Sequence, residues 1–100
     1  MTRDEILAAA QQCVSGDRAA THGDARANFS NVAMLWSAYM RSMGWEPSDA
    51  QMFTEHDVGT MLALFKVARI VANPSHADSW VDAIGYLSLA GELSTAVDRV

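Results

Sequence analysis

Apolar side chains return at helical intervals in four stretches of this chain, and each stretch is opened by a capping residue or closed by a breaker. Thr2-x-x-Glu5 is a capping box, after which Ile6, Leu7, Ala10, Cys13 and Val14 share one face until Gly16. A polar loop, residues 17–23, follows. Asp24 caps a second helix with the face Phe29, Val32, Ala33, Trp36, Tyr39, Met40 and Met43, ended by Gly44. Pro47 marks a turn, and Ser48-x-x-Gln51 is a further capping box that predicts a short helix to about Phe53. Thr54 caps a long third helix from Glu55 to Ala72, apolar on most sides and therefore expected to be the most buried element. Asn73-Pro74 breaks it, and Ser75 is the expected cap of a fourth helix with Trp80, Ile84, Leu87 and Gly91 as its inner face.

No stretch alternates with period two, and Gly and Pro are read as marks of helix ends. The pattern predicts an all-α fold. It is a single four-helix bundle-like domain over residues 1–100, with a short extra helix between helices two and three. One hundred residues, half of them apolar, can bury roughly two-thirds of the unfolded surface without staples.

Charge narrows the partners. The formal net charge is −5, and the one lysine and six arginines are scattered. A nucleic-acid backbone needs a basic face, so direct nucleic-acid binding is not expected. An acidic domain suits a basic protein surface instead, such as the channel of a nucleic-acid-handling machine. Cys13 is the only cysteine, which rules out an intrachain disulfide and fits a reducing, cytoplasmic setting. The first residues lead straight into a helix with no signal peptide, and the apolar run at residues 61–65 is too short for a membrane span.

Candidate chemistry gathers around the Asn73-Pro74 turn. Asp78, Asp82 and Tyr86 recur every four residues and form one stripe, while Lys66 and Arg69 lie on the preceding helix. Like charges at that spacing repel, so something positive should face them. Either Lys66 and Arg69 answer the acids in an ion-pair network, or Asp78 and Asp82 hold an external cation such as Mg²⁺. The first is preferred on charge, and no cofactor is expected unless the second holds. His22 and Asp24 flank Gly23 and read either as a ligand-binding loop or as turn and cap chemistry. His56 and His76 near helix starts read as solvent-facing. Trp36 and Trp80 are expected in the core, and Trp45, in a loop, is a candidate interface anchor. No phosphate loop, nucleophile elbow or Cys/His cluster is present.

Gly16-Asp17-Arg18, His22-Gly23-Asp24, Asn28-Phe29, residues 35–39, Lys66-Val67-Ala68-Arg69, Asn73-Pro74 and residues 78–86 resemble a family of small phage and prophage proteins of unassigned function. That family is similar to phage nucleotide-modification-associated domains and, more distantly, to the all-α MazG-type nucleoside triphosphate pyrophosphatases. The latter hold Mg²⁺ through E-x-x-E on one helix and E-x-x-D on the next. Under this resemblance Asp82 and Tyr86 match the Asp and following Tyr of the second motif. Ser79 stands where its Glu would be, and Lys66 and Arg69 replace the acids of the first. Four carboxylates cannot be assembled from these positions.

Residues 44–55 look like an insertion relative to those proteins and carry acidic and aromatic side chains. Two functional readings follow, with an enzyme the less favoured. The first is a phage-derived binding protein, comparable in size, charge and origin to anti-CRISPR inhibitors. It would occupy a basic surface of a host nucleic-acid-handling defence complex through Asp24, Trp45, Glu46, Asp49 and Glu55. The second is a nucleotide-binding or nucleotide-processing protein using His22, Asn28, Lys66, Arg69 and Tyr86, with Asp78 and Asp82 on Mg²⁺. A homodimer sharing the apolar third helix is a third, structural expectation.

Overall fold

Thr2 and Glu5 close the first cap reciprocally: the Glu5 amide donates to Thr2 Oγ1 at 3.1 Å and the Thr2 amide to Glu5 Oε1 at 3.2 Å. These bonds hold the Glu5 carboxyl below its ordinary range, the Thr2 amide contributing most. Helix α1, Arg3–Ser15, follows from this cap in the computed structural model, which describes residues 1–15, 24–45 and 52–95. Helix α2 is Ala25–Ser42, with Asp24 Oδ1 accepting from the Arg26 amide at 3.2 Å. Its end is a Schellman motif. Gly44 adopts φ +97° and donates to the Arg41 carbonyl, while the Trp45 amide donates to the Met40 carbonyl, both at 3.0 Å.

Helix α3, Glu55–Ala72, opens on a full capping box in which Asp57 takes the place usually held by Glu. Helix α4, Ala77–Thr95, begins one residue later than the Ser75 cap predicts. The Ser75 hydroxyl donates to Asn73 Oδ1 within the turn instead, and the imidazole of His76 shares a 2.9 Å hydrogen bond with the buried Ser79 hydroxyl. The expected short helix at Ser48–Phe53 lies mostly outside the described residues, and Met52 and Phe53 are not helical.

The described residues form four helices and no strand, an all-α bundle-like fold. The helices pack in the spatial order α1, α4, α3, α2, with the antiparallel α3–α4 hairpin as the largest contact. Phe29, Ala33 and Val58 form the centre, and Trp36, Phe53, Leu62 and Tyr86 pack around it. Phe53 meets Trp36 edge to face at 5.8 Å between ring centres. Close approach of the hairpin depends on Gly59. A Cβ there would fall 2.7 Å from Ala90 Cβ and 3.2 Å from the Tyr86 carbonyl oxygen. Glycine therefore stands inside α3, and also inside α4 at Gly85 and Gly91, not only at helix ends.

This order changes which faces are buried. α4 is flanked by α1 and α3, so its buried positions are the small residues Ser79, Val81, Ala83, Gly85 and Ala90 on those two flanks. The stripe expected to face inward, Trp80, Leu87 and Gly91, is exposed, with Ile84 half-buried. Trp80 lies across the turn and donates from Nε1 to the Pro74 carbonyl at 2.9 Å. On α2, Tyr39 and Met43 are also exposed rather than inward. Nor is α3 the most buried element: Val58, Gly59 and Ala63 are buried, whereas Leu64 (60%) and Val71 (79%) are open to solvent.

Candidate functional site

The hairpin decides what the acidic stripe of α4 faces. The Lys66 ammonium lies 3.1 Å from Asp82 Oδ2, and both side chains are mostly shielded, at 16% and 21% exposure. One turn earlier Asp78 is exposed, and one turn later Tyr86 packs against the Phe29–Val58 cluster. Arg69 points elsewhere: its guanidinium carbon sits 4.9 Å from the centre of the Phe65 ring, a cation–π contact. Asn28 is exposed on α2, and His22 lies outside the described residues. The structure thus pairs Lys66 with Asp82, with Tyr86 one turn further along α4, and Lys66 Nζ also lies 5.9 Å from the centre of the Phe65 ring that Arg69 covers.

Among the described residues no group of three or more His, Cys, Asp or Glu side chains is placed to hold a metal ion. Asp78 and Asp82 offer two carboxylates at most, and Asp82 already lies against an ammonium group. A hard divalent cation prefers six or more oxygen ligands, which two carboxylates, one of them shared with Lys66, do not supply.

The acidic and aromatic residues expected to contact a partner do not form one patch. Asp24 and Glu55 share an end of the molecule, where Arg26 Nη1 donates to Glu55 Oε2 at 3.3 Å. Trp45 lies past the opposite end of α2, about 30 Å away along the helix at 1.5 Å per residue. It is 58% exposed. Glu46 and Asp49 fall outside the described residues. On α2, Leu35, Tyr39 and Met43 form a stripe, one per turn, all open to solvent, although the periodicity places Tyr39 and Met43 on the inner face and leaves Leu35 out. The signal was in the sequence, because α2 carries apolar residues on two faces and only one can meet α3.

Acid–base character is also local to the helix starts. Asp57 is held below the usual carboxylate range, chiefly by the Thr54 amide that donates to Oδ2 at 2.9 Å, against a smaller opposing effect of burial. His56 reaches back to the Thr54 hydroxyl at 3.1 Å.

Fold and site together define a small all-α protein with a shielded ion pair in its α3–α4 hairpin and large apolar side chains on its outward faces. The chain belongs to the family described as domain of unknown function DUF6378, which it matches over residues 5–94. It is 36% identical over 94 residues to the "Gene 55 protein" of Mycobacterium phage L5, covering 94% of this chain and 55% of that protein. It is 35% identical over 83 residues to the "Gene 55 protein" of Mycobacterium phage D29, covering 83% of this chain and 49% of that protein. The kinship is with phage proteins, and the chain spans about half the length of these curated relatives. No solved structure matches it. Among the described residues no helix is long and apolar enough to cross a membrane.

Proposed function

We propose that this chain is a phage binding protein that docks onto a basic surface of a host nucleic-acid-handling complex, in the manner of an anti-CRISPR inhibitor. The observation that carries the reading is the outward stripe Leu35, Tyr39 and Met43 on α2, with a further exposed aromatic side chain, Trp45, just past the Gly44 turn that ends the helix. Exposed aromatic and long apolar side chains on a rigid helix are the usual anchors of protein interfaces. The net charge of −5 adds long-range attraction to a basic partner and repulsion from nucleic acid. Asp24 and Glu55 lie at the far end of α2, where they favour encounter more than the final contact.

The nucleotide-binding, MazG-like reading stands second. Its support is the family resemblance together with the Lys66, Asp82 and Tyr86 grouping. Against it, Asp82 already answers Lys66, and among the described residues no third His, Cys, Asp or Glu joins Asp78 and Asp82 to complete a metal site.

The test is recovery of tagged protein from host lysate at low and moderate salt, comparing wild type with Tyr39→Glu and Trp45→Ala. The expected result is one nucleic-acid-handling complex, retained by the wild type, lost by both variants and weakened by salt. Identical recovery by all three proteins would end the docking assignment. A rise in melting temperature with a nucleoside triphosphate and Mg²⁺, abolished by Lys66→Met, would promote the second reading instead.

A further inference from the structure

The outward face of α3 is the least explained surface of the molecule. Met61, Leu64, Phe65, Ala68 and Val71 lie along it at helical spacing, on the side opposite the buried Gly59 and Ala63. From Met61 to Ala72 this face itself holds no charged residue, and at its edge two cations lie over Phe65, the Arg69 guanidinium at 4.9 Å and the Lys66 ammonium at 5.9 Å from the ring centre. A helix apolar all round belongs inside a core, yet here half of its circumference meets water. The exposed portions of its large side chains amount to roughly 500 Å² of apolar surface, near the upper end of what a soluble monomer leaves open.

We infer that a second copy of this chain covers this face, α3 pairing antiparallel with α3 of its partner about a two-fold axis that crosses the outer side of the helix level with position 66. Three observations favour a second copy over a foreign protein. First, the face is self-complementary: reversal about position 66 sets Leu64 opposite Ala68 and Met61 opposite Val71, large against small. Knobs then meet holes in both directions, as a two-fold contact requires. Second, the area fits. A standard interface takes about 800 Å² from each partner, and the core of a homodimer interface is about 65% apolar, which is close to the apolar surface available here. Third, the stripe itself is uncharged, so two chains of net charge −5 meet where neither carries an acid. Antiparallel pairing also opposes the two helix dipoles. The Leu35–Tyr39–Met43 stripe differs, because Asn28, Asn31 and Ser42 share its side of α2, so it suits a polar-rimmed heterologous contact.

The experiment is light scattering on the whole chain between 1 and about 200 μM, a range chosen to bracket a micromolar Kd. The expected mass is twice the 10.8 kDa of the single chain. Leu64→Glu/Ala68→Glu should raise the dimer Kd by at least about 100-fold, because two acids from each copy would be desolvated against each other. Both positions are solvent-exposed in the single chain, so helicity by circular dichroism should persist in that variant. Leu87→Glu, on the outward stripe of α4, should leave the dimer intact. A chain that remains 10.8 kDa at 200 μM overturns the inference and leaves the face to another protein. So does a dimer that survives Leu64→Glu/Ala68→Glu, or one that is broken by Leu87→Glu alone.

Discussion

The Lys66 ammonium and the Asp82 carboxylate stand 3.1 Å apart across the α3–α4 hairpin, shielded by the helices that carry them. Such a pair lies between two regimes. Exposed ion pairs contribute about 0–1 kcal/mol, whereas removing one partner of a buried pair costs about 3–5 kcal/mol, mostly through the charge left behind. The double-mutant cycle of Lys66→Met and Asp82→Asn should therefore give a coupling of about 1 kcal/mol, with each single variant losing about 1–2 kcal/mol. Urea unfolding of the four proteins measures it. A coupling indistinguishable from zero would remove the pair from any structural role.

The capping box of α3 predicts an acid-sensitive stability. Folding holds the Asp57 carboxyl below its ordinary value of 3.8, chiefly through the Thr54 amide. A carboxyl depressed in the folded state stabilises it fully above its unfolded pKa, and that stabilisation disappears as pH falls through the folded value. Unfolding free energy should thus drop as pH falls below about 4, and Asp57→Asn should flatten that drop. Thr54→Ala should lose about 1 kcal/mol near neutral pH through the missing cap. It should keep part of the acid dependence, because the Thr54 backbone amide remains. Denaturant midpoints of the three proteins at pH 5.5 and pH 2.5 provide the comparison, and parallel pH profiles for wild type and Asp57→Asn would contradict the assignment.

The helices were legible in the sequence because their signals are local. Thr2, Asp24, Gly44, Thr54 and Asn73-Pro74 each act within a few residues of themselves, and each stands at a helix boundary. Ser75 shows the limit of such signals, since its hydroxyl is used within the turn, donating to Asn73, instead of capping the helix. Facing was less legible, because it depends on which helix lies next to which. Trp80 and Leu87 are large and helically spaced, but α4 has neighbours on two flanks, so small residues pack and large ones stay outside. The Lys66 and Asp82 contact could be anticipated from charge and the short turn. That Arg69 would turn to Phe65 could not, because two cations competed for the same acids in the sequence.

The Trp80 indole makes a separable contribution to the hairpin turn. Its Nε1 donates to the Pro74 carbonyl at 2.9 Å while the ring stays 42% exposed. Water can replace much of that bond, so Trp80→Phe should cost only about 0.5–1 kcal/mol globally. The local effect should be larger in relative terms, with amide exchange at residues 75–77 accelerating severalfold. Unchanged exchange there, measured by NMR on the same sample as the unfolding curve, would show that Asn73 and Ser75 fix the turn without the indole.

Two glycines inside helices should respond in opposite directions to the same substitution. Glycine costs about 1 kcal/mol relative to alanine in a helix interior, so propensity alone favours Gly→Ala at both Gly59 and Gly91. At Gly91 a Cβ would meet nothing within 4 Å, and Gly91→Ala should stabilise the chain by about 0.5–1 kcal/mol. At Gly59 the added carbon would lie 2.7 Å from Ala90 Cβ and 3.0 Å from Phe29 Cε2. The Phe29 ring can rotate slightly, but Ala90 moves only with α4 itself, so the hairpin must open. Overpacking of that kind costs about 1–3 kcal/mol and outweighs the propensity gain. Gly59→Ala should therefore lower the melting temperature, and adding Ala90→Gly should recover most of the loss. If Gly59→Ala proved as stabilising as Gly91→Ala, the close α3–α4 crossing at Gly59 would be wrong, and with it the packing that places Lys66 against Asp82.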